Sequence, residues 1–264
     1  MDPARAQALH ATLERPGAPP AAGDPLPPLW HWIYFWSIAP MADLGSDGHL
    51  ALGRFLPDVD LPQRMWAGSR FTFYRSPILG APAERRSTIA DVVLKEGRSG
   101  PLAFVTVQHR LSDGDGLCVE EEQDLVFRSV QKPGADPASP KPVPSDAPAW
   151  SRSVAPDPVL LFRYSALMFN GHRIHYDRDF ACGTEGYPGL IVHGPLLGLL
   201  MCQLGLDENK PRRPAGYRFR LSQPIFAHQK FTVAGSPANG GRKADLWVKN
   251  EDGLLAAEGH LEYR

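Results

Sequence analysis

The sequence predicts an α+β protein in which two curved antiparallel sheets each wrap a central helix. Three observations predict this fold class. A proline-rich stretch divides the chain into similar halves, strand-like segments follow in the same order in both halves, and one helix is apolar on nearly every side. The 264 residues fit two domains of average size, and a hydrophobic content of 43% is enough to build their cores.

The division lies at residues 132–150, which hold six of the 27 prolines and almost no large apolar side chain before Trp150. Such a stretch cannot bury enough surface to offset the entropy lost on ordering, and its prolines favour an extended conformation. We therefore expect a linker at residues 132–150 between an N-terminal domain, residues 1–131, and a C-terminal domain, residues 151–264.

Each half contains four segments that are rich in β-branched and aromatic residues and are separated by Gly, Pro and Asp turns. The predicted strands are residues 70–74, 87–95, 103–111 and 118–127 in the first half, and 217–221, 230–235, 244–249 and 254–263 in the second. The halves also repeat short patterns. RFTFYRSPI in the first resembles YRFRLSQPI in the second, and Asp115-Gly116 and Asp252-Gly253 each precede a glutamate at the same spacing. Two such repeats in the same order indicate a duplicated domain.

The helix is predicted at residues 195–206, PLLGLLMCQLGL, with Pro195 suited to its first turn. A helix that is apolar all round is buried. One buried helix wrapped by a curved antiparallel sheet is the hot-dog fold, so two copies make a double hot dog. The counterpart helix of the first half is less distinct. Residues 4–13 are weakly helical, and residues 30–39 are aromatic and are expected to lie in a core or an interface.

Charge and cysteine content exclude several classes of protein. Lys and Arg total 28 against 29 Asp and Glu, so the chain lacks the basic excess of a nucleic-acid or membrane-surface binder. No apolar run reaches the roughly 18 residues of a membrane-spanning helix, and no secretory signal is apparent. Cys118, Cys182 and Cys202 indicate reduced thiols. We therefore expect a soluble cytoplasmic protein. The charge run Glu120-Glu121-Glu122 is expected to be exposed to solvent at a strand edge.

Reactive side chains are concentrated just before the predicted buried helix. Asn170 and three of the nine histidines, His172, His175 and His193, lie there. Gly194 then opens the helix, whose first N–H groups have no partner within the helix and carry a positive partial charge. Because Gly194 has no Cβ, a carbonyl oxygen can approach its N–H closely, so the start of the helix can serve as an oxyanion hole for a thioester.

The run FNGHRIHYD at residues 169–177, followed by Val192-His193-Gly194, resembles the motif of the MaoC-like hot-dog hydratases and dehydratases. More narrowly, the chain resembles the branch that holds mitochondrial 3-hydroxyacyl-thioester dehydratase 2 and the bacterial mesaconyl-C4-CoA (3-methylfumaryl-CoA) and itaconyl-CoA hydratases. Residues 65–70, 95–107 and 120–128 resemble the first half of that branch. The general family pattern is Asp-x-Asn-Pro-x-His, and this chain has Asn170 in place of the Asp and His175 at the position of the His.

The resemblance implies a hydro-lyase that adds water to a 2-enoyl-CoA thioester or eliminates it. A branched C5 dicarboxylate such as mesaconyl-CoA or itaconyl-CoA, giving citramalyl-CoA, is the substrate that the narrower branch implies. His175 is the expected base for the water, Asn170 holds that water but cannot take its proton, and the Gly194 N–H polarises the carbonyl. No metal and no organic cofactor is expected, and a homodimer is the expected assembly.

Substrate contacts are expected at Arg173, Tyr176, Val192 and His193, with Arg173 the nearest cation in sequence for a substrate carboxylate. For His193 a packing role at the start of the helix is an equal alternative. The spacing His172-x-x-His175 also occurs in some zinc sites, but no recognised ligand set accompanies it.

Three other functions stay open from the sequence. They are a 3-hydroxyacyl-ACP or -CoA dehydratase of fatty-acid metabolism, a hot-dog acyl-CoA thioesterase, and an inactive acyl-thioester binding protein. A thioesterase would need a carboxylate beside the carbonyl, for which the motif region offers Asp177, Asp179 and Glu185.

Overall fold

The structure, a computed structural model, describes residues 1–97, 100–129, 141–144 and 147–264. The strands are β1 (Gln63–Phe73), β2 (Ala83–Gly97), β3 (Gly100–Asp113), β4 (Gly116–Arg128), β5 (Trp150–Val154), β6 (Pro214–Leu221), β7 (Phe231–Ala238), β8 (Lys243–Lys249) and β9 (Leu255–Tyr263). The helices are α1 (Pro3–Thr12), α2 (Pro158–Met168) and α3 (Gly194–Glu208). All the predicted strands are present, most of them longer than predicted.

The strands form one antiparallel sheet in the order β2-β3-β4-β1-β6-β9-β8-β7-β5. The halves join at its centre, where β1 pairs with β6 and Phe71 lies opposite Tyr217. These two strands carry the repeated RFTFYRSPI and YRFRLSQPI patterns, and each pairs on its other side with the strand that follows the repeated Asp-Gly turn. The double hot-dog fold predicted from the sequence is therefore confirmed, with the two sheets continuous.

Helix α3 is buried against the second half of the sheet, as predicted. Gly198 and Gly205 allow this close packing, because a Cβ on either would lie 2.9 Å from Phe219 or Leu261. Tyr217 also donates a hydrogen bond from its hydroxyl to the Gly198 carbonyl at 2.8 Å. The sheet and the helix are thus fixed together at several points, which holds the start of α3 in place.

The first half has no such helix within the described ranges. Instead, an irregular segment at residues 52–61 covers β3 and β4, and its Leu61 packs in a cluster with Val105 and Phe127. Pro57 lies in the middle of this segment, a position at which proline interrupts a helix.

The N-terminal segment packs on both halves, although the sequence prediction groups it with the first alone. Arg15 forms a two-pronged ion pair with Asp207 of α3, with one N–O distance of 2.7 Å. The Trp36 indole donates to the Leu167 carbonyl of α2 at 2.9 Å. Trp30 and Trp32 are buried, as expected for a core position.

The predicted linker falls partly on residues 132–140 and 145–146, which lie outside the described residues. The division into domains at residues 131 and 151 therefore stays a proposal.

Two elements beyond the linker were not predicted, β5 and α2. Helix α2 begins with standard signals, since Asp157 caps its N-terminus by accepting from Leu160 N–H and Pro158 follows.

Among the acidic run, the prediction of exposure is wrong for Glu121, which is buried. Its carboxylate accepts hydrogen bonds from the Trp32 indole at 2.9 Å and the Ser69 hydroxyl at 3.0 Å, and it lies 3.2 Å from His31 Nε2. These partners compensate for the loss of water around the charge.

The three cysteines are free thiols, in line with the sequence prediction. No helix in the described part of the chain is long and apolar enough to cross a membrane.

Candidate active site

A long cleft runs along the junction of the two halves and past the start of α3. Its wall includes the second-half residues Asn170, His172, His175, Val192 and Gly194, and the first-half residues Asp47, His49 and Arg64. The structure therefore brings the three expected catalytic residues to one surface and adds a group of polar side chains that the sequence analysis did not single out.

His175 lies in a single helical turn, Arg173–His175, and is buried. Its Nδ1 is 2.7 Å from the Ile191 carbonyl oxygen, which can only accept, so Nδ1 carries the proton and donates it. The other ring nitrogen, Nε2, is then left with a free lone pair. Burial lowers the pKa of His175 from 6.5 to about 4, so the ring is neutral near pH 7. A neutral imidazole with a free Nε2 is the form that can act as a base.

His193 packs against the ring of His175. Its ring stacks on that of His175 with centroids 3.7 Å apart, and its Nε2 is 2.8 Å from the Ser165 hydroxyl of α2. His193 is completely buried and is not part of the cleft wall. Its expected contact with substrate is therefore replaced in the structure by contacts with His175 and α2.

Asn170 is held in a fixed orientation where α2 ends. The preceding residue, Phe169, adopts a left-handed conformation with φ of 50°, and Asn170 N–H donates to the Ser165 carbonyl at 2.8 Å. The Asn170 side-chain oxygen accepts from His172 N–H at 3.0 Å. This leaves the side-chain NH₂ group, which has no protein partner among the described residues, free to donate to a molecule in the cleft.

Gly194 is the first residue of α3, so its N–H has no acceptor within the helix. A Cβ at this position would lie 2.3 Å from Leu221 Cδ1, so glycine is the residue that fits without moving its neighbour. Val192 lies two residues earlier on the same wall, where its N–H donates to the Ile225 carbonyl at 2.8 Å. The first residue of α3 therefore lines the same cleft as His175, at the end of the helix that carries a positive partial charge.

Arg173 and Tyr176 do not line this cleft. The Arg173 guanidinium donates to the Asp177 carboxylate at 2.7 Å and to the Ser46 carbonyl at 3.0 Å. Tyr176 donates from its hydroxyl to the Gly171 carbonyl at 3.0 Å and is half-exposed. In the structure these two side chains hold the motif residues 169–177 and the loop at residues 45–49 in place, outside the wall of this cleft.

The loop at residues 45–49 brings first-half side chains into the site. Gly48 lies so close to the motif residues 169–177 that a Cβ on it would meet the Gly171 carbonyl oxygen at 2.0 Å. Its φ of +86° also favours glycine. Arg173 N–H donates to the Asp47 carbonyl oxygen at 2.9 Å. The sequence signal for this loop is only an Asp-Gly turn followed by His49, more than a hundred residues from the motif.

Asp47 and His49 form a hydrogen-bonded pair in the cleft. The Asp47 carboxylate oxygens are 2.8 Å from His49 Nδ1 and 3.0 Å from His49 N–H. Burial works to raise the pKa of Asp47, but the hydrogen bonds from His49 outweigh it and hold this pKa well below its usual range. The centroids of the His49 and His172 rings are 4.1 Å apart, so the Asp47–His49 pair contacts the first of the motif histidines.

Asp47, His49 and His172 each offer a ligand atom, and these atoms lie within 4.8 Å of one another. Three ligands is the number that catalytic zinc sites use. Asp47 is already bonded to His49, however, and the positive charge of Arg64 acts on the cluster. A dication would be repelled by that charge, so the cluster fits a hydrogen-bonded network of neutral rings better than a metal site.

The amino-acid sequence is similar to those of proteins whose activities are named. The profile of the family described as hydroxyacyl-thioester dehydratase type 2 matches residues 29–227. The chain is 47% identical over 261 residues to a mesaconyl-C(4)-CoA hydratase from Chloroflexus aurantiacus, covering 98% of this chain and 91% of that protein. It is 26% identical over 249 residues to a mitochondrial hydroxyacyl-thioester dehydratase type 2 from Schizosaccharomyces pombe, covering 84% and 80%.

Among solved structures, HtdX from Mycobacterium tuberculosis superposes with a TM-score of 0.68 at 18% identity, covering 99% of this chain and 96% of that one. A MaoC-like dehydratase from Phytophthora capsici gives a TM-score of 0.59 at 16% identity, covering 81% and 77%. At these low identities the structural similarity supports only the assignment of the fold. The relatives with higher sequence identity are the ones relevant to the reaction.

Proposed function

Because the chain belongs to the hydroxyacyl-thioester dehydratase type 2 family, we propose that it is a hydro-lyase that adds water to mesaconyl-C4-CoA and yields citramalyl-CoA. The observation that supports the proposal is the neutral His175, whose Nδ1 is bonded to the Ile191 carbonyl so that Nε2 is left as the base, in the wall of the same cleft as Gly194. A base and an oxyanion donor on one surface are the two groups that hydration of an enoyl thioester needs.

In the proposed reaction, the thioester carbonyl accepts a hydrogen bond from Gly194 N–H at the positive end of α3. The Asn170 NH₂ group donates to a water molecule and leaves the water protons pointing toward His175. His175 Nε2 takes one proton as the water oxygen bonds to C3. The electron pair of the C2–C3 double bond moves toward the carbonyl oxygen, and the enolate forms.

The enolate collapses when C2 takes a proton, which the His175 imidazolium returns from Nε2. The site is then neutral again, and the sum is the addition of one water. Stacking on His193 and the bond to Ile191 keep the His175 ring in one orientation through both transfers. The same steps in reverse eliminate water, so the geometry serves both directions.

No step of this scheme requires a metal or an organic cofactor, and we propose that none takes part. We further propose that the enzyme acts in the cytoplasm as a homodimer, with an acyl-CoA as its substrate.

A thioesterase would use a carboxylate at the carbonyl carbon. Asp177 is held by Arg173 and by Phe180 N–H, outside the cleft wall. Glu185 lines the cleft, but it accepts from the Gln63 amide at 2.7 Å, and burial raises its pKa. Asp179 also lies outside the cleft wall, and both oxygens of Asp47, which does line the cleft, accept from His49. This arrangement favours hydration over attack on the carbonyl carbon.

The test is incubation of the purified protein with mesaconyl-C4-CoA, itaconyl-CoA and crotonyl-CoA in separate reactions, read by mass spectrometry. We expect mesaconyl-C4-CoA to gain the mass of one water. Release of free CoA would indicate a thioesterase, hydration of crotonyl-CoA alone would indicate a fatty-acyl dehydratase, and intact thioesters throughout would contradict an enzymatic role.

A further inference from the structure

The proposed substrate carries a charge next to the reacting carbon. Counted from the thioester carbonyl, the free carboxylate of mesaconyl-C4-CoA is attached to C3, the atom that water attacks. A group that recognises this carboxylate must therefore lie beside the catalytic base and not at a distant end of the cleft. Carboxylates buried in proteins are paired with cations, and arginine is suited to them because its planar fork donates two parallel hydrogen bonds.

Arg64 is the candidate for this group. It lies on β1 opposite Phe127, lines the cleft and is partly buried. Its charge acts on Asp47, His49 and His172, which places it in the electrostatic neighbourhood of the site. Over the ranges that the structure describes, its guanidinium makes no hydrogen bond and no ion pair within 4.0 Å, although charged side chains are rarely buried without a partner.

The nearest carboxylate does not satisfy Arg64. Both oxygens of Asp47 are engaged by His49, one through the ring and one through the backbone N–H. Burial lowers the pKa of Arg64, while Asp47 alone among the charged side chains opposes this. The partly buried guanidinium thus has no direct protein partner among the described residues, and an anion entering the cleft can supply one.

The other arginines of the cleft wall differ from Arg64. Arg218 and Arg220 are exposed, and Arg85 lies over the Phe35 ring at 5.6 Å, where the charge of Glu121 acts on it. Arg70 is paired with Glu122 and Asp124, and Arg128 donates to the Gln63 side chain at 3.1 Å. Arg173, the candidate from the sequence, is bound to Asp177 and does not line the cleft.

Building on the proposed hydratase function, we propose that Arg64 is the specificity-determining residue that binds the free carboxylate of the acyl group. Bound in this way, the carboxylate fixes the substrate so that C3 faces the water held by Asn170 and His175. The enzyme then prefers enoyl thioesters with a carboxylate on C3 to those with an alkyl group there.

The test compares two thioesters of the same shape. Mesaconyl-C4-CoA carries the carboxylate, and 3-methylcrotonyl-CoA has a methyl group in its place. For Arg64→Gln, we expect kcat/KM for mesaconyl-C4-CoA to fall by roughly 10²–10³-fold, the usual range when a desolvated charge pair loses one partner. The inhibition constant of 3-methylcrotonyl-CoA should stay within about threefold of the wild-type value, since no charge contacts Arg64 there.

Arg218→Gln is the matched control, because Arg218 lines the same cleft but is exposed. Any effect of this change on CoA binding should alter the constants for both thioesters by the same factor. Arg64→Lys keeps the charge without the fork and should lie between wild type and Arg64→Gln. The melting temperature of Arg64→Gln should equal or exceed that of wild type, because the change removes an unpaired charge.

Equal losses for the two thioesters in Arg64→Gln, or no loss for either, would overturn the assignment while hydration by the wild type leaves the proposed function standing. A lowered melting temperature with parallel losses would likewise overturn it and give Arg64 a structural role. Wild-type protein that does not hydrate mesaconyl-C4-CoA would instead overturn the proposed function, and the Arg64 assignment with it.

Discussion

The pH dependence of turnover reports directly on the surroundings of His175. Burial lowers its pKa from 6.5 to about 4, which corresponds to roughly 3 kcal/mol against the charged ring. Only the neutral ring can accept a proton from water. At pH 5.5 a base with a pKa near 4 is still about 97% neutral, whereas an ordinary histidine is about 9% neutral. We therefore expect kcat/KM to stay level down to about pH 5 and to fall with unit slope near pH 4.

Acid unfolding must be separated from titration of the base. Burial also lowers the pKa of His172 and His193. The unfolded chain therefore binds more protons than the folded one as the pH falls below about 6.5, and stability decreases through that window. Circular dichroism at each pH, and recovery of activity after return to neutral pH, separate the two effects. An acid limb centred near pH 6.5 in a protein that stays folded would refute the burial argument for His175.

The remaining predictions concern the other groups of the site. Asn170→Ala should lower kcat more than it raises KM, because the water contact matters mainly in the transition state. Asn170→Asp should move the acid limb of the pH–rate profile upward, because a carboxylate near His175 stabilises its charged form; an unchanged limb with full activity would show that the two side chains do not share a water. Gly194→Ala should lower kcat by roughly 10–10²-fold by displacing the N–H donor, and Leu221→Ala in the same protein should restore much of the loss by removing the clash at 2.3 Å. Chelators such as EDTA should leave kcat unchanged, and a loss restored by added zinc would contradict a metal-free mechanism.

Much of the fold follows from local patterns in the sequence. Alternation and turn residues locate the predicted strands because each strand is bounded by Gly, Pro or Asp, and the apolar run after Pro195 locates α3 because nothing on it can face water. The repeated patterns place β1 and β6 as equivalent strands. Of the two candidates for a first-half helix, residues 4–13 form α1, which packs against α2, and the second contains only a single buried turn, Trp30–Ile33. The first half of the sheet is covered by the irregular residues 52–61 instead.

Some residues of the candidate site can be identified from the sequence, and others only from the structure. Asn170, His175 and Gly194 lie close in sequence, so the motif names them together. Asp47, His49 and Arg64 come from the other half of the chain and reach the cleft only because Gly48 packs on Gly171 and β1 pairs beside β6.

Sequence proximity also misled in one case, because Arg173 is adjacent to the motif histidines along the chain but its guanidinium is bound to Asp177. Glu121 shows the same limit. Its neighbours in sequence are charged, while the groups that bury it, among them Trp32 and Ser69, come from distant segments.

The most direct test of the account is the rate of mesaconyl-C4-CoA hydration by His175→Ala, compared with wild type and with His10→Ala as a control on α1 outside the cleft. We expect kcat/KM to fall by roughly 10²–10⁴-fold in His175→Ala, the usual effect of removing a general acid–base group, with unchanged circular dichroism and no change for His10→Ala. Activity of His175→Ala within a few-fold of wild type would contradict the assignment of His175 as the base.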